Sequence, residues 1–247
     1  TLTATPSVCH TFDFWSGDAE GETNTVNVTI TSDTSVTANF LRKRVLTLTI
    51  DPSEGGTVQA NPEPGDDGKY VSGTVVTLTA TANSGYSFGS WSEGASGTSP
   101  SVEVTMDSDK SVTATFLPRY TLSLSIDPES SGIITADPLA GLDKRYLTGT
   151  VVTLTASANT GHSFSGWTGD VTDTEASIEV TVDSNKSVTA NFLPRHTLSV
   201  SVSPENSGEV TLDPSPGVDG KYIEGTVVTL TPTANADHQF SSWSGDA

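Results

Sequence analysis

The sequence predicts an all-β chain, or a β-grasp-like one with little helix, arranged as a tandem array of small β modules. Three observations predict it. Trp15, Trp91, Trp167 and Trp243 fall 76 residues apart without a slip, and self-similarity at a fixed period marks a repeat architecture. Within one period, apolar and hydroxylated residues alternate, which is the two-residue rhythm of a half-buried strand. No window carries the 3.6-residue apolar period of a helix, and Thr, Val, Gly and Pro are poor material for helix interiors.

The period governs other positions as well. Phe12, Phe88, Phe164 and Phe240 keep it, as do Phe40, Phe116 and Phe192, then Tyr70, Tyr146 and Tyr222. With no insertion or deletion between copies, loop lengths are held along with strands. The chain therefore reads as a partial repeat over 1–43, complete repeats over 44–119 and 120–195, and a partial repeat over 196–247. Residues 1–19 correspond to 229–247, so the sequence begins and ends inside a repeat. One expectation is an excerpt of a longer array. The other is head-to-tail completion, in which the open front portion of one chain docks on the back portion of the next.

Through the first complete repeat, Leu46, Leu48 and Ile50 alternate with Thr47 and Thr49, giving a strand with one apolar and one hydroxylated face. Asp51-Pro52-Ser53-Glu54-Gly55-Gly56 supplies turn residues, and a short strand over 57–60 would return from it as a hairpin. The 61–73 segment carries Pro62, Pro64, Gly65 and Gly68 and reads as a loop with room for one helical turn at most. Strands follow over 76–80, 86–91, 102–106 and 112–116. Consecutive repeats meet at Leu41-Arg42-Lys43, Leu117-Pro118-Arg119 and Leu193-Pro194-Arg195. Linkers this short, two of them with proline pre-setting the backbone, restrict rotation between modules. The expected shape is an elongated rod, on the order of 100 Å for three units at about 3.3 Å per strand residue.

Eleven Lys and Arg against 30 Asp and Glu leave a net charge of −19. Such a field repels phosphate backbones and anionic lipid, so no nucleic acid is expected as a partner. No run approaches the roughly 20 apolar residues needed to cross a bilayer, so no membrane insertion is expected either. Cys9 is the single cysteine and cannot form an intrachain disulfide.

A small module has a thin core, which its few large aromatics should dominate. The expected core residues are Trp15, Trp91, Trp167, Trp243, Phe88, Phe164, Phe116 and Phe192. The Phe-x-x-Trp spacing puts Phe88 and Trp91 on opposite faces of a regular strand unless a bulge intervenes at Gly89. An exposed ring would instead offer a stacking platform for a sugar, made from Trp91 and Trp167 with Tyr86 and His162 beside them.

Asp67, Asp143 and Asp219 fall in register and are weak candidates for calcium, as are the acidic residues after each Trp, Asp18, Asp170 and Asp246. Calcium needs six to eight converging oxygens, which one carboxylate per loop falls short of supplying. No metal and no cofactor are expected. His10, His162 and His238 share a position that Tyr86 fills in the remaining copy, so none is a general base common to all copies. No acid/base pair gathers, and the chain is not expected to be an enzyme. Cys9 aligns with Gly85, Gly161 and Asp237, so its thiol has no counterpart.

The runs Gly73 to Ala80, Gly85 to Trp91 and Val102 to Phe116, returning over Gly149 to Phe192, resemble the divergent B-repeat modules of bacterial surface proteins, a family named for the internalins. The resemblance covers essentially the whole chain. It implies a secreted, extracellular, cell-surface protein whose modules act as stalks, spacers or adhesive segments without chemistry. Internalin B-repeats are similar to a β-grasp fold with a helix on a sheet, and the lack of a helical window here favours a more purely β module. The expected function is a structural spacer, with head-to-tail filament assembly as a variant and other copies of itself or neighbouring repeats as partners. The alternative is an adhesin or carbohydrate-binding module that engages a glycan or a host surface protein through exposed aromatics.

Overall fold

In the computed structural model, which describes residues 1–246, every regular element is a strand and no helix occurs among the described residues. The chain divides into two compact units, Thr1–Arg119 and Tyr120–Ala247. In the first unit, the first repeat contributes β1 (Leu2–Thr3), β2 (His10–Gly17), β3 (Thr25–Val26) and β4 (Val36–Arg44). The second repeat contributes β5 (Leu46–Asp51), β6 (Gly56–Asn61), β7 (Tyr70–Val71), β8 (Val75–Ala82), β9 (Tyr86–Glu93), β10 (Ser101–Thr105) and β11 (Lys110–Tyr120).

Two sheets make up the second repeat. One sets β11 between β5 and β9, parallel to β5 from Leu46↔Lys110 to Asp51↔Thr115 and antiparallel to β9 through Trp91↔Ala114 and Phe88↔Phe116. The other is antiparallel, with β8 between β6 and β10. Strand alternation decides which side chains meet. Val76, Leu78 and Ala80 of β8 turn inward with Val104 of β10 and Met106, against Val112, Ala114 and Phe116 of β11 and Trp91 of β9, in one buried cluster. The intervening Thr79 and Thr81 face solvent.

The second unit repeats this plan. Its strands are β12 (Leu122–Asp127), β13 (Gly132–Asp137), β14 (Tyr146–Leu147), β15 (Thr150–Ala158), β16 (His162–Gly169), β17 (Ser177–Val182) and β18 (Lys186–His196), then β19 (Gly208–Asp213), β20 (Tyr222–Ile223) and β21 (Thr229–Ala234) of the fourth repeat. Here β18 lies between β12 and β16, and β15 between β13 and β17. Val152, Leu154, Trp167, Val180, Val182, Val188, Ala190 and Phe192 are at the centre of the core.

Two sequence expectations need correction. The turn after β5 does not close a hairpin, because β6 pairs with β8 while β5 pairs with a strand 64 residues later. The turn thus hands the chain from one sheet to the other. The 61–73 loop holds the two-residue strand β7 rather than a helical turn.

The residues of the fourth repeat, 196–247, do not include positions equivalent to the last strand of the earlier repeats, β11 and β18. Residues 198–203 and 238–245, whose counterparts pair with that last strand in the second and third repeats, form no strand. Phe240 and Trp243 still stack, with ring centroids 5.1 Å apart, yet they are 42% and 38% exposed. Trp243 is thus not the buried residue its repeat position suggested, for want of the strand that covers its counterparts.

Candidate functional site

Two features recur: a pinned tryptophan in each of the first three repeats and, within each unit, a tied joint from one repeat to the next. The tryptophan comes first because it carries the binding alternative. Opposite Phe116 and Thr115, β9 places Phe88 and Ser90, leaving Gly89 as the extra residue of a β-bulge. In β16 the register likewise skips Ser165. The bulge rotates the Trp back onto the face of the Phe, and the rings meet at centroid distances of 5.3, 5.1 and 5.4 Å in the first three repeats.

Each of these tryptophans is tied twice to the loop that follows. The backbone N–H groups of Trp15, Trp91 and Trp167 donate to Gly21 O, Gly97 O and Asp173 O. Their indole N–H groups donate to Thr23 O, Ser99 O and Glu175 O, each at 2.9 Å. With exposures of 6%, 3% and 2% and the indole donor engaged, the rings present no open face for stacking. Of the proposed platform, Tyr86 and His162 are half-buried. The Tyr86 hydroxyl donates to Glu54 Oε1 at 3.3 Å, and the His162 Nδ1 atom is buried without a hydrogen-bond partner. Phe88 and Phe164 are half-buried, while Phe116 and Phe192 are fully enclosed. An open groove is lined by Trp167 itself together with Ser165, Gly166, Thr168, Thr172, Asp173, Thr174 and Asn191. The Asn191 amide there holds the bulge, donating to Gly166 O and Thr168 Oγ1.

The joints lie at 43–46 and 195–198. β4 does not stop at its own sheet but runs on to pair with β7 of the next repeat, Lys43↔Val71 and Arg44↔Tyr70. One residue later the chain becomes β5. In the second unit, β18 pairs with β20 in the same way, Arg195↔Ile223 and His196↔Tyr222. Ser72 N donates to Arg42 O, and Glu224 N to Pro194 O, at equivalent places.

An ion pair closes each joint, Lys43 Nζ to Asp67 Oδ2 and Arg195 Nη2 to Asp219 Oδ1, both at 2.8 Å. The hydrogen bond from Lys43 is the main cause holding the Asp67 carboxyl below the ordinary carboxylate value. Asp67, Asp143 and Asp219, the calcium candidates, each also accept a backbone N–H two residues on, from Lys69, Arg145 and Lys221. Asp18 and Asp170 accept the N–H of Ser35 and Ser187. Among the described residues, no group of three or more His, Cys, Asp or Glu converges on one point.

A further latch ties the start of a repeat to its own last strand. Asp109 Oδ1 accepts Val45 N and Asn185 Oδ1 accepts Thr121 N, both at 2.9 Å, while Lys110 N and Lys186 N donate to Val45 O and Thr121 O. Lys110 pairs with Asp107 and Lys186 with Asp183, and those hydrogen bonds hold both carboxyls low. The recurring Asp-Ser-Asp/Asn-Lys-Ser run is therefore a structural clasp.

The family model for the divergent InlB B-repeat domain matches residues 1–44, 46–119, 122–196 and 198–247. The chain belongs to the divergent InlB B-repeat family. No curated protein and no solved structure matches it. The boundaries between matched B-repeats fall at residues 45, 120–121 and 197, and at the first two of them one repeat's last strand gives way to the next repeat's first. Sequence reasoning missed the ion pairs at the B-repeat joints, although the signal was present. Positions 43, 119 and 195 are all basic and positions 67, 143 and 219 are all aspartate.

Proposed function

We propose that these B-repeats form a non-catalytic, load-bearing spacer at a bacterial cell surface, whose working partners are the neighbouring repeats of the same chain. The parallel pairing of each complete repeat's first strand with its last, β5 with β11 and β12 with β18, carries the reading. Parallel strands point the same way, so the chain enters a repeat at one end of this pair and leaves at the other. Tension along the backbone then slides the two strands against each other. Their hydrogen bonds lie across that direction and must yield together rather than one by one.

Three other features support the reading. Within each unit the tied joint leaves few free backbone torsions between its repeats, since the strand that ends one repeat also holds a strand of the next. The exposed surface is hydroxylated and acidic, and a charge of −19 opposes collapse of one such chain on another. Trp15, Trp91 and Trp167 are engaged in the core, which favours a packing role for them over a binding one.

Single-molecule stretching of the chain between terminal handles tests this function. The expected trace shows two discrete unfolding events from the complete repeats, each lengthening the chain by roughly 200–260 Å at ~3.5 Å per residue. Gradual extension at low force with no resolved events would overturn the reading.

A further inference from the structure

The joint between the first two B-repeats holds one pair of groups with no counterpart elsewhere in the chain. Cys9, in the turn just before β2, is half-buried, and Lys69, in the loop before β7, directs its ammonium at the sulfur with Nζ 3.0 Å from Sγ. Backbone contacts fix both residues before their side chains meet. Cys9 O accepts the N–H of Lys43, and Lys69 closes a turn through Gly65 N to Lys69 O and its own N–H to Asp67 Oδ1. At the equivalent joint of the second unit, Gly161 O accepts Arg195 N in place of Cys9, and Lys221 stands in place of Lys69. That joint has the amine without the thiol.

We propose that Cys9 and Lys69 are the site of an oxidative crosslink, in which a peroxide converts the thiol–amine pair into a sulfenamide joining the first repeat covalently to the second. The first step is attack of the Cys9 thiolate on one peroxide oxygen. The O–O bond breaks, sulfur is oxidised by two electrons to the sulfenic acid, and the other oxygen leaves as hydroxide, which takes a proton from solvent to become water. In the second step the Lys69 amine, having given a proton to solvent, attacks that sulfur. The S–O bond breaks, the hydroxyl leaves as water with a proton from nitrogen, and the S–N bond forms with no further change in oxidation state. A sulfenic acid condenses in this way with a nearby nitrogen when no second thiol competes, and Cys9 is the single cysteine.

The electrostatics suit the order of events. The hydrogen bond to Cys9, with the charge of its thiolate, raises the pKa of Lys69 and keeps the amine protonated while the pair is reduced. Oxidation to the neutral sulfenic acid removes that charge and so eases release of the proton that the second step requires. The inference is independent of the load-bearing reading, because it rests on the two side chains alone.

The test treats the full chain with hydrogen peroxide at mildly alkaline pH, then maps digested peptides by mass. The expected product joins the Cys9 and Lys69 peptides at about 2 Da below their reduced sum and is released by dithiothreitol. Dimedone added with the peroxide should suppress it by trapping the sulfenic acid. Lys69→Arg keeps the charge and should abolish the joined pair while Cys9 runs on to sulfinic acid. Wild-type chain oxidised in urea should yield none, because the pair depends on the fold. Cys9 over-oxidised or disulfide-linked between chains in the folded wild type, with Lys69 free, would overturn the proposal, as would equal linkage to Lys43 or Lys221.

Discussion

The ring of Phe192 lies on the bare α-carbon of Gly132, in space that a β-carbon at that position would have to share with the ring. Gly56 stands in the same relation to Phe116. Gly132→Ala should therefore overpack the core of the second unit and cost about 1–3 kcal/mol, seen as an earlier urea midpoint by tryptophan fluorescence. Adding Phe192→Leu should return part of the loss, and an unchanged midpoint for the single variant would contradict the packing.

The indole of Trp167 does two separable things. Trp167→Phe keeps much of the apolar volume but leaves Glu175 O without its donor, for an expected loss of about 1–2 kcal/mol. Trp167→Ala also opens a cavity, for about 3–5 kcal/mol. If Trp167→Ala left folding intact and abolished binding to a glycan array, the ring would be a ligand platform after all.

The Lys43–Asp67 pair should be read at the joint rather than in global stability. Asp67→Asn is expected to speed hydrogen exchange of the Ser72 amide, which donates to Arg42 O, with little change at the Leu78 amide inside the sheet. High salt should mimic the variant in part, since this pair is partly exposed. Lys43→Met in the Asp67→Asn background should add almost nothing.

Acid should loosen the clasps as a group. Asp67, Asp107 and Asp183 have folded pKa values below their ordinary 3.8 because lysines hydrogen-bond them. Their contribution is therefore complete above that value and is lost as pH falls through the lower folded values. Stability followed from pH 6 downward should stay level in this respect until roughly pH 4 and then drop. Asp107→Asn and Asp183→Asn together should flatten that fall.

Much of the module was legible in the sequence because it is local. The alternation at Val76–Ala80 marks a strand and its inward face, that at Leu46–Ile50 marks a strand whose Leu48 is nonetheless exposed, and the fixed Trp period marks the repeat. Pairing was less legible. Asp51 to Gly56 announces a turn but does not say which sheet the chain enters next, and the true partner of β5 lies 64 residues on. The bulge that gathers Phe88 and Trp91 was hinted at by Gly89, yet Ser165 does the same work in the next copy, so the residue type alone does not mark it. The Cys9–Lys69 contact could not be read from periodicity, since it departs from the repeat.

The closing of β5 by β11 also sets a timetable for synthesis. A nascent chain releases β5 first, but its strand partner follows only after 64 further residues, an interval of roughly 3–13 s at translation rates of ~5–20 residues/s. During that wait Leu46, Leu48 and Ile50 have no partner strand within their own repeat. Completion of a repeat is thus tied to the arrival of its final strand, and repeats finish in the order in which the ribosome delivers those strands, from the amino end onward.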